Sequence, residues 1–405
     1  SACCELSAMP SGRVLHINAV GLMAELEEAL EPSLRRRPFV VANERLARAV
    51  VLDVSALAHR EGARPGMSLA AARALLPGLA ARPPRSELYR DAEDRLWRLA
   101  LELTPLVERA GRGHLFADLT GTGRLNGSPD DAAQRLRSRI LADTGLSPAL
   151  ALSSTKTASK VATRVFRPGG FVALSTAEEG PLVRRQPASL LPGVGPALLR
   201  RLALLDIDDI GGIADLDDTR AAAVGPRGRE LVARARCVDD SPVDPRPLGS
   251  RSASAEAVLE PDTADPETLR LRLLSLSAEL AFSLRREGLG FSGASVSLGY
   301  TDGLRASASA CSGRRLWRDD EALALALEAL GRARTRRVRV RSVALTLSRL
   351  GAASPELDLF EPGESRRSRL QSALDAIRLR YGSGAIEPCA LAELGAPGPS
   401  GAIRW

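Results

Sequence analysis

The chain has 405 residues, of which 44% are hydrophobic and 26% charged, and this composition excludes collagen-like, disordered and membrane-spanning proteins. At roughly 100–200 residues per domain, we expect two to four domains. The 56 Lys and Arg residues against 49 Asp and Glu residues give a net charge of +7, which favours polyanionic partners.

The first half of the chain alternates strand and helix patterns after a loose N-terminus at 1–12. Apolar alternation predicts a strand over 13–20, and helical spacing predicts a helix over 22–30. Apolar runs predict strands over 38–41 and 49–52, and Ser68 is the N-cap of a predicted helix ending at residue 76. The next predicted elements are a helix over 91–110, a strand over 114–119, a helix over 130–143, a strand over 149–152 and a helix over 154–165.

Short helices separated by glycines follow from about residue 178. Gly193 and Gly195 precede a predicted helix over 197–205, and Gly225 and Gly228 precede one over 230–237. Both turns are typical of helix-hairpin-helix motifs, whose backbone N–H groups hold phosphates without reading base sequence. These glycines are therefore candidate DNA-binding residues, although an ordinary helical loop remains the alternative for each turn alone.

A Pro- and Asp-rich linker over 239–250 precedes a compact α+β pattern. The predicted elements of this domain are a first strand after 251, a helix over 265–287, strands over 293–301 and 304–311, a helix over 319–333 and a strand over 338–347. On that last strand Arg337, Arg339 and Arg341 would share one face, and together with Arg336 they are candidate contacts to a phosphate backbone. The alternative is a solvated strand edge protected by charge.

Several stretches together resemble the Y-family (translesion) DNA polymerases over residues 13–382. The matching stretches are 15–18, 31–38, 62–67, 117–121, 156–162, 191–195 and 375–382. The resemblance implies an α+β multidomain chain with a right-hand architecture. Its parts would be a palm (13–24 and 78–177), fingers (25–77), a helical thumb with helix-hairpin-helix turns (178–240), a linker (241–250), an α/β little finger (251–352) and a tail (353–405).

The positions of the family's catalytic acids carry other residues in this chain. Y-family polymerases join nucleotides with two Mg²⁺ ions held by three carboxylates. The resemblance places those carboxylates at Asn18, Gly113 and His114, so all three are missing. Asp118 is retained, but the family uses it structurally. We therefore expect no catalysis and no cofactor.

The resemblance also locates remnants of a nucleotide pocket. A Tyr and an Arg of the family's fingers, which contact the triphosphate, fall at Ala56 and His59. The aromatic steric gate falls at Met23, and the triphosphate-binding Lys falls at Arg167. A single retained cation is not expected to bind a magnesium nucleotide usefully.

Other residues near this region offer a weaker alternative. His16, His59 and His114 all fall on or near the palm–fingers site, and a three-histidine metal site is chemically conceivable, although ordinary polar replacement is favoured. Glu25, Glu27 and Asp53 are nearby in sequence but belong to a helix face and a fingers strand.

A second resemblance follows the little finger. Glu356, Leu357, Asp358, Leu359 and Phe360 resemble the clamp-binding peptide of bacterial polymerases, Gln-Leu-x-Leu-Phe, with Glu356 in the Gln position. The apolar side chains would enter pockets of the sliding clamp, or else anchor a loop of this chain. The next predicted helix, 366–381, has Leu370, Ala373, Leu374 and Ile377 in helix-compatible spacing, and would bind a partner or fold back on the little finger.

The leading hypothesis is a catalytically inactive adaptor that binds DNA and the sliding clamp. It resembles the ImuB group of Y-family paralogues, which lack the acidic residues and act in SOS-inducible mutagenesis with a RecA-like accessory protein and a C-family error-prone polymerase. The alternative is an active translesion polymerase whose Mg²⁺ ions are held by unaligned carboxylates. A third possibility is a DNA-binding protein without a clamp role.

The remaining expectations concern thiols and location. The five cysteines have no CxxC spacing, so we expect free thiols. Residues 1–13 lack the pattern of a secretory signal, and a cytoplasmic, nucleoid-associated protein without membrane contact is expected.

Overall fold

The computed structural model describes residues 13–44, 48–245, 252–353, 362–382, 385–386 and 388–394. Their buried side chains form four main apolar clusters, one in each region that the resemblance names palm, fingers, thumb and little finger. The predicted clamp-binding peptide at 356–360 lies outside the described residues. Within them, no helix has the length and apolar character needed to span a bilayer.

The palm and fingers regions contain eight strands and seven helices among the described residues. In chain order they are β1 (Val14–Asn18), α1 (Leu22–Leu30), β2 (Phe39–Val41), β3 (Asp53–Val54), α2 (Ala56–Arg60), α3 (Leu69–Leu75), β4 (Ala80–Arg82), α4 (Ser86–Leu101), β5 (Val107–Arg109), β6 (His114–Asp118), α5 (Gly123–Asn126), α6 (Pro129–Thr144), β7 (Ala149–Ser153), α7 (Lys156–Val165) and β8 (Gly170–Ala173).

The palm sheet has the strand order β5-β6-β1-β7-β8. Strand β1 lies at its centre and is antiparallel to both β6 and β7. Because side chains alternate along a strand, Leu15 and Ile17 enter the apolar core on one face, while His16 and Asn18 lie on the other. Helix α7 contacts β1 and β7, and its side chains meet the His16 face.

The fingers sheet is small, with the order β3-β2-β4. Strand β4 pairs in parallel with β2, so the fingers extend beyond the predicted boundary at residue 77. The predicted strand over 49–52 is wrong. Val51 donates to the Met67 carbonyl and Leu52 donates to the Val41 carbonyl, so this extended segment is bonded to two different partners and forms no ladder.

The long helix predicted over 91–110 is also wrong in its bounds. Helix α4 begins at Ser86 and ends at Leu101, and β5 follows at Val107. Pro105 lies between the two elements, and its ring cannot continue a helix because it lacks an N–H and clashes with the preceding turn. Strands β4 and β8 were not predicted.

The thumb region is a cluster of short helices. In chain order they are α8 (Thr176–Arg184), α9 (Pro196–Ala203), α10 (Ile210–Ala214), α11 (Asp218–Val224) and α12 (Gly228–Ala235). The segment after α12 is bound to the palm. Asp239 accepts from the backbone N–H of Thr157 at 3.1 Å, the Asp244 N–H donates to Glu108 at 2.8 Å, and Val243 packs with Val14 and Phe116.

The little finger is a four-stranded antiparallel sheet packed against two helices. Its elements are β9 (Ser252–Thr263), α13 (Pro266–Arg286), β10 (Leu289–Tyr300), β11 (Arg305–Leu316), α14 (Asp319–Ala333), β12 (Val340–Ser348) and β13 (Gly351–Ala352), with the sheet order β11-β10-β12-β9. Arg48 of the fingers region pairs with Asp262 of β9 at 2.5 Å.

Helix α15 (Pro362–Tyr381) folds back on the little finger through a polar network. Asp375 pairs with Arg285 at 2.6 Å, and Arg378 pairs with Asp319 at 2.8 Å. The predicted apolar face does not make this contact, because Leu370 is 60% exposed whereas Arg378 is 6% exposed. The described cysteines, Cys237, Cys311 and Cys389, are free thiols.

Candidate functional site

The antiparallel pair β1–β6 brings two of the predicted catalytic positions together. Asn18 lies directly opposite His114, and His16 lies directly opposite Phe116. All four side chains therefore lie on the same face of the palm sheet, which α7 covers. This arrangement is the one that the resemblance predicts for the metal-binding face, with a neutral amide and an imidazole where the family has carboxylates.

The third position, Gly113, has a backbone that disfavours any side chain. Its φ is +68°, and a Cβ placed there would lie 2.8 Å from the carbonyl oxygen of Ala19. The Ala19 N–H donates to the Gly113 carbonyl at 2.8 Å, so the two backbones are held in close contact. An aspartate at this position would require the turn before β6 to rearrange.

The two palm histidines form a neutral, stacked pair. His16 Nδ1 lies 2.6 Å from Thr163 Oγ1, and His114 Nδ1 lies 3.3 Å from His16 Nε2. The Thr163 hydroxyl donates to the Lys160 carbonyl, so His16 Nδ1 is the donor and its Nε2 accepts from His114. Burial, followed by the interaction with His114 and then by the charges of Lys160, Arg164 and Arg167, lowers the pKa of His16 well below its ordinary value. Burial is also the main cause that lowers the pKa of His114 to about 4.

Cations surround this pair. Lys156, Lys160 and Arg164 follow one another at four-residue spacing on α7, and Arg167 comes just after its end. In the orientation that satisfies its neighbours, the Asn18 amide oxygen accepts from Arg167 Nε at 3.1 Å and from Nη2 at 2.9 Å. The ammonium groups of Lys156 and Lys160 lie 5.2 Å and 5.7 Å from the Phe116 ring centroid.

Four carboxylates of the palm and fingers regions have partners within the protein. Glu108, opposite Phe116 in the sheet, pairs with Lys156 at 2.6 Å. Asp53 accepts from the N–H groups of Met23 and Ala24 at the start of α1, and Glu25 accepts from the Ser147 N–H. Glu27 accepts from the Tyr89 hydroxyl at 2.7 Å.

These residues do not fit a magnesium site. Mg²⁺ requires oxygen ligands with negative charge, whereas the face presents Asn18, a neutral histidine pair and arginine and lysine side chains. Across the described ranges, no group of three or more His, Cys, Asp or Glu side chains is arranged to hold a metal ion. A different observation opposes the three-histidine alternative, because both ring nitrogens of His16 are hydrogen-bonded within the protein.

The predicted nucleotide-pocket remnants are only partly assembled. Met23 is 3% exposed and belongs to the palm core, so its side chain is unavailable as a gate. Ala56 begins α2, with Ser55 as the N-cap, and both Ala56 and His59 are exposed. Partial burial, followed by the charges of Arg64 and Arg167, lowers the pKa of His59.

The two predicted hairpin turns of the thumb meet in one groove. Gly193 lies on one side, and the turn from Gly225 to Gly228 lies on the other. A Cβ on Gly193 would lie 3.3 Å from Arg234 of α12, and a Cβ on Gly225 would lie 3.6 Å from Arg201 of α9. Each turn is therefore adjacent to an arginine from the other hairpin, and one of these, Arg234, is paired with Glu230 at 2.6 Å.

The arginine row of the little finger differs from the prediction. Strand β12 begins at Val340, so Arg337 and Arg339 precede it and Arg341 alone of the three lies within it. The three side chains are exposed and alternate with less exposed neighbours. Arg336 pairs with Asp302 at 2.7 Å and Arg341 lies 3.7 Å from Asp262, so these two charges are partly neutralised.

Comparisons with known proteins agree with this architecture. Residues 20–164 match the impB/mucB/samB family, and residues 250–359 match the C-terminal domain of that family. DNA polymerase IV of Halorhodospira halophila (strain DSM 244 / SL1) is 32% identical over 353 residues, covering 86% of this chain and 98% of that protein. This chain belongs to the Y family of DNA polymerases. DNA polymerase IV of Moorella thermoacetica (strain ATCC 39073 / JCM 9320) is 33% identical and covers 71% of this chain and 73% of its own length.

Solved Y-family structures share the fold. The Y-family DNA polymerase chimera Dbh-Dpo4(243-245)-Dbh has a TM-score of 0.73 at 20% identity, covering 83% of this chain and 98% of the chimera. The insertion ternary complex of Dbh DNA polymerase has a TM-score of 0.61 at 18% identity, with the same coverage of both chains. The predicted fold class, a right-hand Y-family architecture, is confirmed.

Sequence reasoning missed two residues of the palm face, Lys160 and Arg164. They come from α7, about 140 residues after β1 along the chain. The four-residue spacing from Lys156 to Arg164 was the available signal, because it places three cations on one side of a helix.

Proposed function

We propose that this Y-family protein is catalytically inactive and serves as a DNA-binding adaptor in translesion synthesis. In this role it binds primer-template DNA without sequence specificity, binds the bacterial sliding clamp, and recruits an error-prone polymerase of the C family with a RecA-like accessory protein. The assignment corresponds to an ImuB-like role in the SOS response, in the cytoplasm near the nucleoid.

The observation that carries this proposal is the geometry of the three predicted catalytic positions. Asn18 and His114 lie opposite each other without a carboxylate, and the positive φ of Gly113 disfavours a side chain. Arg167 lies against Asn18, where a pair of divalent cations would be repelled. A polymerase without these ligands lacks the charge that stabilises the transferring phosphates.

An active translesion polymerase is the second candidate, because the relatives in the comparison are called DNA polymerase IV. This candidate requires carboxylates from elsewhere to hold the metals. The nearest ones suggested by the sequence, Glu25, Glu27 and Asp53, are bound to Ser147, Tyr89 and the start of α1. Moving them to the palm face would break these contacts.

Primer extension tests the catalytic part of the proposal. The full chain is incubated with undamaged and damaged primer-templates and Mg²⁺ or Mn²⁺, beside a DNA-binding titration on the same duplexes. We expect binding without extension. Metal-dependent extension that remains after further purification would establish the second candidate.

The clamp is tested separately, because DNA binding and clamp binding can fail independently. Binding of the full chain to a purified bacterial sliding clamp is compared with that of Leu357→Ala and Phe360→Ala, which we expect to abolish it. Glu356→Gln is the matched variant and should strengthen binding, since it restores the residue usual in such peptides. Equal binding by all four proteins would remove the clamp from the proposal.

A further inference from the structure

Helix α15 is attached to the little finger by its polar side. Asp375 pairs with Arg285 at 2.6 Å. Asp319 pairs with Arg378 at 2.8 Å, and its N–H donates to Gln371 Oε1 at 3.2 Å. Both Gln371 and Arg378 are buried, although residues of these types usually face solvent. This polar network therefore fixes which side of α15 faces the little finger.

Another side of the helix carries an apolar stripe that is open to solvent. Its members, Leu370, Ala373, Ile377 and Tyr381, follow one another at spacings of three and four residues and so line one side of the helix. All four are exposed, up to 67% for Tyr381. The stripe lies about 120° around the helix from the polar network. Aligned exposed apolar side chains, unlike single ones, mark an interaction surface.

The charge beside the stripe is positive. Arg366, Arg367 and Arg380 are exposed on the same helix. Between residues 366 and 381 the sequence holds one acidic residue, Asp375, and it belongs to the polar network. A helix with an apolar stripe of its own, edged by aspartate or glutamate, would bury the apolar side chains of α15 and pair with its arginines.

The same charges disfavour a second copy of the chain and DNA as occupants. Two α15 helices packed stripe to stripe would bring their arginines together, and like charges oppose such a contact. A DNA backbone offers phosphates to the arginines, but phosphates cannot bury Leu370 and Ile377. The occupant must supply both apolar surface and negative charge, as an acidic amphipathic helix does.

Two segments of this chain that lie outside the described residues fit the stripe poorly. Residues 395–405 contain no acidic residue. The segment 356–360 is apolar and acidic, but Leu357 is only five residues before Pro362 and reaches about 17 Å at most from the start of α15. Ile377 is about 22 Å along the helix from Pro362, so this segment cannot cover the second half of the stripe.

We propose that the apolar stripe of α15 is the docking surface for an amphipathic helix of another protein, with apolar side chains on one side and acidic residues beside them. The polar network holds α15 on the little finger while the partner covers the stripe, so both contacts exist together. This inference rests on the proposed adaptor function, for which it supplies a contact surface and the chemistry of the recruited protein.

Fluorescence anisotropy with a labelled synthetic peptide tests the surface. The probe is a helix of about 18 residues with leucines at spacings of three and four residues and glutamates beside them. Leu370→Asp and Ile377→Asp should each weaken its binding to the full chain about tenfold or more, because each places a charge in the apolar contact. Leu379→Asp is the matched control. Leu379 is 63% exposed on the same helix but lies roughly 160° from the stripe, so the affinity should not change.

The charge is tested with a second peptide that has lysines in place of the glutamates. It should bind the wild type about tenfold or more weakly than the glutamate peptide, and Arg366→Gln/Arg380→Gln should reduce the salt dependence of the glutamate peptide. The inference is overturned if the glutamate peptide does not bind, if both peptides bind equally, or if Leu370→Asp and Ile377→Asp bind like the wild type. Thermal unfolding of each variant confirms that it is folded.

Three further measurements distinguish the other occupants. A dimer in analytical ultracentrifugation that Ile377→Asp dissociates would assign the stripe to a second copy. Displacement of the peptide by duplex DNA would assign it to DNA, and tighter peptide binding by Leu357→Ala/Phe360→Ala would assign it to the segment 356–360. Each of these results overturns the inference, whereas a monomer whose peptide complex survives excess duplex supports it. Primer extension is a separate measurement, so this inference and the inactivity in the proposed function can fail independently.

Discussion

Gly113 and Ala19 are in close backbone contact at the end of the paired strands β1 and β6. The Ala19 N–H donates to the Gly113 carbonyl at 2.8 Å, and a Cβ on Gly113 would lie the same distance from the Ala19 carbonyl oxygen. The backbone at the predicted catalytic position 113 would therefore have to rearrange to carry a carboxylate. Asn18 and His114 lie in regular paired strands, where a different side chain needs no such rearrangement.

The first prediction concerns this contact. Gly113→Ala should lower the free energy of unfolding by about 3 kcal/mol, because it combines a positive φ with a steric clash against backbone. Gly121→Ala is the matched control, since Gly121 has a φ of +76° but no atom within 4 Å of its added Cβ, and it should cost about 1 kcal/mol. Urea unfolding of both variants measures the difference. If the two variants lose the same free energy of unfolding, the turn before β6 adapts to a side chain.

The second prediction concerns pH. Burial lowers the pKa of His16 and takes that of His114 to about 4, from an ordinary value of 6.5. Below pH 6.5 these two imidazoles bind protons in the unfolded chain but stay neutral in the folded chain. The free energy of unfolding therefore falls as the pH drops from 6.5 towards 4. His114 alone accounts for about 3 kcal/mol of this loss.

Chemical unfolding at several pH values checks the histidine prediction. The double variant His16→Gln/His114→Gln should show a flatter dependence between pH 6.5 and pH 4 than the wild type. His59→Gln is the control, because His59 is exposed, and its curve should follow the wild type more closely. Parallel curves for the double variant and the wild type would mean that the buried pair does not control acid stability.

The third prediction concerns the thumb. A Cβ on Gly228 would overlap the Ala221 carbonyl oxygen, whereas nothing lies within 4 Å of a Cβ on Gly195. Gly228→Ala should therefore displace α12 from α11, destabilise the thumb by about 3 kcal/mol or more, and weaken DNA binding. Gly195→Ala should change stability by less than about 1 kcal/mol. Fluorescence anisotropy with a labelled duplex, together with thermal unfolding, measures both effects. Wild-type DNA affinity in a destabilised Gly228→Ala variant would exclude the groove from DNA binding.

The fourth prediction concerns the little-finger arginines. Arg337 and Arg339 are exposed, and no described carboxylate pairs with either. The double variant Arg337→Gln/Arg339→Gln should reduce the slope of log affinity against log salt by about 2 if each neutralises one phosphate. DNA titrations at several salt concentrations measure this slope. Arg332→Gln is the control, because Arg332 is paired with Glu328 at 2.5 Å. Equal slopes in the wild type and both variants would reject a contact between Arg337 and Arg339 and the DNA phosphates.

The sequence predicted correctly the helices that depend on nearby residues, such as a helical apolar spacing or an N-cap. Helix α1 matches its prediction because its apolar spacing is helical, and α3 begins after Ser68, whose side chain accepts from the Ala71 N–H. The strand prediction for 49–52 was wrong because β propensity in a segment does not supply a partner strand. Strand β4 was missed because its pairing with β2 joins residues about 40 positions apart.

The palm site also has features that the sequence predicts and features that it does not. The juxtaposition of Asn18 and His114 follows from two strands that the sequence predicts, together with the resemblance that aligns them. The positive φ of Gly113 and the approach of Lys160 and Arg167 depend on contacts between distant segments, which neither spacing nor composition contains. The apolar side chains of α15 predicted the wrong contact face for a related reason. The helix packs on the little finger through a buried ion-pair network on its polar side, and the spacing of apolar residues does not show such a network.

The binding of residues 239–244 to the palm has a consequence for the path of the chain. Asp239 accepts from Thr157 at the start of α7, and the Asp244 N–H donates to Glu108, which pairs with Lys156 of the same helix. The chain that leaves the thumb is therefore fixed to the palm by both ends of a six-residue segment, and α7 is the helix that the two attachments share.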